Sequence, residues 1–360
     1  MDAPTRATTH AKRAPERLPV FPWHEVVLPW LVSRVYSVFL IVGAASVGRG
    51  GLRATGFAKW DGQWYLAIAR FGYGAAPVHG VQTRWPFFPG YPGVIHAIRE
   101  IGLPDRGSGL VLNQIVFLLA LAGVWRIARR HTSPGASGLA VWSLAFFPGA
   151  IVFSMVYPSS IFLAITVWAF IFVDDRQDLA AAVLTTGAAL VRPNGIVLAV
   201  ALVFALRSWR RVLIVCAPSV VSVALWCFAC YHWTGDAFVF LTSKEGWPEV
   251  TIKAFALEPW RYDYVFPHLF LAAAALGALW IVRRRLPAAW TVFTVLYLLP
   301  SLGLGMVGLG RYANECFPPF VAAGQILHRS GRWPRVAAFT AAVLGQAVCA
   351  WWVIHLQYLP

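Results

Sequence analysis

The sequence predicts an all-α, polytopic transmembrane protein with about eleven membrane segments. Three observations carry this expectation. Hydrophobic residues make up 59% of the 360 and charged residues 12%, with a mean hydropathy of +0.63. A soluble domain averages about 25% charged residues, so too few polar groups remain here to cover a water-facing surface. Second, 18 tryptophans accompany a net charge of +15. Trp and Tyr settle at membrane–water interfaces while Lys and Arg anchor cytoplasmic helix ends, so the positive charge points to membrane lipids as partners and not to nucleic acid. Third, apolar runs recur along nearly the whole chain.

Crossing a bilayer takes about 17–25 apolar residues. Runs of that kind, or fragments broken by Pro and Gly, lie at 27–47, 109–125, 139–153, 161–173, 179–190 continuing through 196–206, 212–231, 266–282, 288–307, 317–327 and 336–354. Residues 1–26 are polar, basic and Pro-containing, and read as a disordered cytoplasmic tail; 27–360 form a single transmembrane domain. No short apolar core with a small-residue cleavage site follows the tail, so it is not a signal peptide.

The positive-inside rule sets the orientation. With the N-terminus cytoplasmic and 86–101 lying in the outer interface, the clusters at Arg126, Arg129 and Arg130, at Arg207, Arg210 and Arg211, at Arg283, Arg284 and Arg285, and at Arg329, Arg332 and Arg335 all face inward. This arrangement requires 179–206 to split into two half-spans at Arg192-Pro193-Asn194-Gly195. It leaves two long extracytoplasmic loops, 48–108 and 232–265, and an outward C-terminus. Long loops in compact proteins are usually functional.

Within the first loop, Trp60, Trp64, Ile68 and Phe71 recur at helical spacing, which describes an amphipathic helix lying on the membrane surface. Asp61 falls in its first turn or at its N-cap, where backbone N–H groups and the helix dipole favour a carboxylate. Spacing alone is equally consistent with a cap and with a general base. Trp85-Pro86-Phe87-Phe88-Pro89-Gly90-Tyr91-Pro92 forms a rigid aromatic ledge, and its prolines exclude a regular helix start before Tyr91. At Leu190-Val191-Arg192-Pro193-Asn194-Gly195 a charge interrupts an apolar run; a half-helix N-terminus beside an Arg is suited to an anion such as phosphate. Arg311, in Gly308-Leu309-Gly310-Arg311-Tyr312-Ala313-Asn314-Glu315, either adds a second phosphate contact or pairs with Glu315.

Cysteine and histidine add no chemistry. Cys227 and Cys230 sit inside the run 212–231 and read as small core fillers. His79, His96, His232 and His268 lack metal-ligand spacing, and Asp61 has no second carboxylate beside it of the kind that Mg²⁺ and Mn²⁺ sites favour. No metal ligand and no cofactor are assigned.

Taken in order, Trp60-Asp61 with Tyr65, Phe87-Phe88-Pro89, Phe147-Pro148 leading to Tyr157-Pro158-Ser159-Ser160, and Arg192-Pro193-Asn194-Gly195 resemble the PIG-V-type mannosyltransferases, integral-membrane enzymes of the GT-C superfamily related to GPI mannosyltransferase 2. The resemblance covers about the first two thirds of the chain. Gly62 stands where that family often has Ser, and Ser159-Ser160 replace an acid often found after the Tyr. The resemblance implies a GT-C-like fold with interfacial helices in the first loop, and inverting transfer of mannose from a polyprenyl-phosphate donor to a lipid or glycan acceptor. It implies Asp61 as the catalytic carboxylate. Arg192, Arg311, Asn194 and Lys59 then become candidates for the donor phosphate, and Trp60, Trp64, Tyr65, Phe88, Tyr91 and Tyr157 for the substrate pocket.

The chemistry of these residue types agrees: inverting transfer needs a base on the acceptor hydroxyl and cationic or N–H stabilisation of the leaving phosphate. A transporter or flippase of an anionic or lipid-linked substrate is the rival reading, since broken helices and an intramembrane Arg serve there too. Against it, the chain shows no internal repeat, and its candidate residues gather at one face.

Overall fold

The computed structural model describes residues 23–47, 57–247 and 250–355, all helix and connection, with no strand among them. The first described elements are α1 (Trp23–Val47), α2 (Asp61–Phe71) and α3 (Gly90–Glu100). Next are α4 (Asp105–His131), α5 (Pro134–Ala145), a 3-10 segment Pro148–Ser154, α6 (Ser159–Asp174) and α7 (Asp178–Val191). After a 3-10 turn at Pro193–Ile196 follow α8 (Val197–Val203), α9 (Trp209–Thr234), α10 (Val239–Thr242) and α11 (Ile252–Leu257). The chain ends through α12 (Phe266–Val282), α13 (Ala288–Leu304), α14 (Leu309–Asn314), α15 (Phe317–Arg329) and α16 (Arg332–His355).

Every apolar run becomes a helix or a broken pair, but length divides them. Among the described residues α1, α4, α9, α16 and the stretch Phe266–Arg285 are long and apolar enough to span a bilayer, with α5 and the segment after it, bent by 74°, as a sixth. The remaining apolar helices run 10–17 residues. At 1.5 Å per residue a 14-residue helix such as α7 reaches about 21 Å, against a hydrocarbon core of about 30 Å. By length and composition the described residues thus hold five or six of the expected eleven spans, and the shorter apolar helices fall outside that count.

Boundaries also shift. Of the tail expected at 1–26, residues 1–22 lie outside the described residues, and 23–26 already belong to α1. The first loop ends at Pro104, because α4 starts earlier than its apolar run, at Asp105. The second loop is largely helical, built from the end of α9, α10, α11 and short 3-10 turns. The ledge yields a helix from Gly90, one residue ahead of the expected limit, with Pro89 as its N-cap.

The basic clusters gather at one end of the helices. Arg126 and Arg130 pair with Asp175 at 3.1 and 2.7 Å, His131 approaches Asp174, and Arg211 grips Asp178 at 2.6 Å. Arg211 also holds Asp178 below its usual carboxylate range. Because α6 ends and α7 begins here, Ser159 and Val191 lie at the opposite end.

The bend after α5 is held by Arg34, buried in α1. Its guanidinium donates to the Ala145 and Ala150 carbonyls, to Ser154 Oγ at 2.9 Å and to Ser33 Oγ at 3.3 Å, so every N–H has a partner, none of them a carboxylate among the described residues. Arg34→Met is expected to destabilise the chain by about 1–3 kcal/mol, since those buried acceptors lose their donors. Thermal unfolding in detergent measures it; an unchanged midpoint would show the bend to be self-supporting.

Candidate functional site

The site grows from the start of α2. The Lys59 carbonyl accepts from Gly62 N at 3.2 Å, closing a turn. Trp60 takes its second position at φ 62° and ψ −129°, a backbone region that glycine normally fills. Several contacts hold this strained residue. Trp60 Nε1 donates to the Val353 carbonyl at 3.2 Å, and Lys59 Nζ donates to the Ile354 carbonyl, both at the end of α16. The Tyr157 hydroxyl donates to the Lys59 carbonyl at 3.2 Å and accepts from Asp61 N at 3.1 Å. Burial pushes the Tyr157 phenol well above its usual range, with the nearby Asp61 charge adding to the effect, so it stays protonated and able to make both bonds. Tyr157→Phe removes both bonds and is expected to lower activity by about tenfold or more, since each neutral hydrogen bond is worth roughly 0.5–1.5 kcal/mol. Steady-state rates of the purified variant check it; a wild-type rate would show that the Trp60 turn stands without the phenol.

Gly62 lets the first turn of α2 sit against the chain before α6: a Cβ there would stand 3.1 Å from the Val156 carbonyl. Asp61, the first residue of α2, is thereby aimed at α14, where Arg311 Nη1 meets its Oδ2 at 2.8 Å.

The second half forms where α7 breaks. Arg192 is extended (φ −151°, ψ 149°), Pro193 opens the 3-10 turn, and Gly195 N donates to the Arg192 carbonyl at 2.9 Å. The Arg192 guanidinium is buried and binds Glu315 Oε1 at 2.6 Å and Ser159 Oγ at 3.2 Å. Glu315, fully buried, also accepts from Tyr297 at 2.5 Å and from Ser159. The pairing thus differs from the Arg311–Glu315 alternative: those two residues share one short stretch of chain, but Arg311 turns to α2 and Glu315 to the α7 break. Ser159, which stands where the resembled family often has an acid, donates a hydrogen bond to Glu315.

These halves share one cavity of about 340 Å³. Its wall contains Asp61, Arg192, Asn194 and Arg311 with Trp60, Tyr65 and Tyr157. Four of the expected residues lie elsewhere, because packing claims them. Phe88 is buried against Trp226 and Phe240, and Tyr91 is buried beneath Tyr65. Trp64 stacks on Phe87 and meets Trp247 edge-on, while Lys59 reaches the end of α16, where burial lowers its ammonium below the usual range. The wall also contains residues without a motif: Gln82, Lys244 and Trp247. Their only sequence signal is membership of the long outer segments. A separate groove of about 490 Å³ along α3 is lined by Pro89, Gly93, Val94, Ala97 and neighbouring apolar residues together with Leu190; it has surface for hydrocarbon but no titratable group.

The architecture has counterparts among solved structures. The chain is similar to ArnT from Cupriavidus metallidurans bound to undecaprenyl phosphate, with a TM-score of 0.54 and 18% identity over 89% of this chain and 63% of that one. It is also similar to the Archaeoglobus fulgidus oligosaccharyltransferase. The apo form gives a TM-score of 0.52 at 12% identity, covering 94% of this chain and 56% of the other. The form tethered with an acceptor peptide containing the NVT sequon gives 0.50 at 12%, over 94% and 55%. The chain thus spans between about half and two thirds of the length of these proteins. No family model matches it, and no curated protein matches it in sequence. At such identities the likeness is one of fold: the chain shares the helical architecture of these proteins.

Proposed function

We propose that the chain is a membrane glycosyltransferase that moves mannose from a polyprenyl-phosphate donor to a lipid or glycan acceptor, with inversion and Asp61 as general base. One observation carries the reading: a carboxylate and two guanidinium groups, from Asp61, Arg311 and Arg192, line one cavity in a GT-C fold. Asp61 takes the proton from the acceptor hydroxyl as its oxygen forms the new bond to the anomeric carbon. The bond from that carbon to the phosphate oxygen breaks, and polyprenyl phosphate leaves with the electron pair. Cations near that oxygen stabilise the developing charge.

Arg311 is paired with Asp61. The donor phosphate competes for that guanidinium, and drawing it away frees the carboxylate to act as a base. Asn194, at the α7 break, adds a polar contact for the phosphate or sugar. The basic clusters at the other end of the helices support, by the positive-inside rule, the reading that that end is cytoplasmic and the cavity extracytoplasmic. A lipid-borne donor fits that location, where nucleotide sugars are absent.

The test is transfer of labelled mannose from polyprenyl phosphate mannose to a lipid or glycan acceptor by the purified protein. Movement of the intact lipid across a vesicle without transfer would establish a flippase instead. Transfer of a different sugar from its polyprenyl phosphate to the acceptor, with release of the bare polyprenyl phosphate, would keep the reaction class and change the donor.

A further inference from the structure

Resting on the donor reading above, we propose that Glu315 is a positioning residue that sets how firmly the cavity holds phosphate. It fixes Arg192 against the wall and offsets its charge, so that the polyprenyl phosphate product is released. Glu315 does not line the cavity, whereas Arg192 does. Its carboxylate is fully buried, with Oε1 receiving Arg192 and Ser159 and Oε2 receiving Tyr297. Glu315 therefore touches no substrate itself: it acts by holding Arg192 and by placing its own charge behind the wall, while Arg192 keeps its Nε without a hydrogen-bond partner. Among the described residues the wall has three cations, Arg192, Arg311 and Lys244, against the single carboxylate of Asp61. Glu315 behind Arg192 lowers the net charge felt in the cavity from two positive to one.

A purely structural counter-ion predicts that stability and phosphate affinity fall together when Glu315 is neutralised. Charge offset predicts opposite movements: the buried Arg192 is left uncompensated, so stability falls while an anion is held more firmly. The experiment uses the full chain in nanodiscs with undecaprenyl phosphate as probe and undecaprenol as the phosphate-free control. Glu315→Gln should bind undecaprenyl phosphate about tenfold more tightly or better, as a buried unit charge at an effective dielectric near 20 dictates, with undecaprenol unchanged. Glu315→Asp, which keeps the charge, should bind like wild type. In turnover KM and kcat of Glu315→Gln should fall together, the pattern of a product held too firmly.

Equal or weaker affinity in folded Glu315→Gln overturns the proposal. If that variant does not fold, Arg192→Gln with and without Glu315→Gln replaces it. The double variant should bind about tenfold more tightly than Arg192→Gln alone, because the single variant leaves a bare carboxylate behind the wall; equal affinities overturn the role. Absence of undecaprenyl phosphate binding by wild type overturns the donor reading along with this proposal, whereas intact wild-type binding with no effect of Glu315 removes this proposal alone.

Discussion

Asp61→Asn is expected to lower transfer by about 10²–10⁴-fold, the usual contribution of a positioned general base, while the chain stays folded. Asn preserves the shape of the side chain at the first position of α2 and retains an oxygen for Arg311 Nη1, which Asp61 meets at 2.8 Å. It removes the basicity and the negative charge. The stability lost with the charge is about 0.3–1 kcal/mol from the helix dipole, plus a share of the ion pair, which faces the cavity and is screened there. Donor binding moves the other way. Arg311, no longer held by a full charge, is more available to phosphate, so KM for the donor should stay level or fall while kcat collapses. Initial rates at saturating donor, with a thermal midpoint on the same preparation, measure both. Transfer within tenfold of wild type would assign the base to another group. A variant inactive because unfolded would make Asp61 a pin between α2 and α14, leaving its chemistry without support.

Gly195→Ala is expected to abolish the native break between α7 and α8, destabilising the chain by about 3 kcal/mol or more, at or above the upper end of ordinary overpacking. A Cβ at Gly195 would lie 1.8 Å from the Ala188 carbonyl oxygen, 2.4 Å from its carbon and 3.0 Å from Ala189 N. All three are backbone atoms of α7, so no change of rotamer relieves the clash. The half-helix must swing outward, taking Arg192 from Glu315 and Asn194 from the cavity wall. Gly187 provides the comparison on the same helix: its Cβ would meet only the Ile165 side chain, at 3.4 Å. Gly187→Ala should be neutral or stabilising by up to about 1 kcal/mol, through the lower entropy of the unfolded chain. Detergent thermal melts and the yield of folded protein test the pair. Equal midpoints for the two variants would mean that the hairpin accommodates a methyl group and that the close approach is not essential.

Legibility differed between parts of the site. The helix of Trp60, Trp64, Ile68 and Phe71 was readable because amphipathic spacing is local, and α2 covers Asp61–Phe71. The interruption at Arg192 was readable because Pro and Gly act on their own stretch of chain, and α7 stops at Val191. Partners were not. Arg192 and Glu315 are 123 positions apart and Asp61 and Arg311 are 250 apart, and nothing in the spacing of either pair announces the other. Lys244 and Trp247 line the cavity from a segment with no motif, brought there by close packing against the first loop. A Cβ on Gly246 would stand 2.5 Å from the Val81 carbonyl.

From composition and charge the sequence alone determined a helical membrane protein, with its basic clusters at one end and its candidate catalytic residues at the other. That was possible because hydropathy and interfacial anchoring are properties of single residues summed over a window. Only the tertiary structure decided which runs are long enough to span, which arginine meets which carboxylate, and that Phe88 and Tyr91 are packed into the core while Lys244 reaches the cavity. Those outcomes depend on close packing between distant helices, where a buried charge must find a partner and each aromatic ring must fill a particular volume.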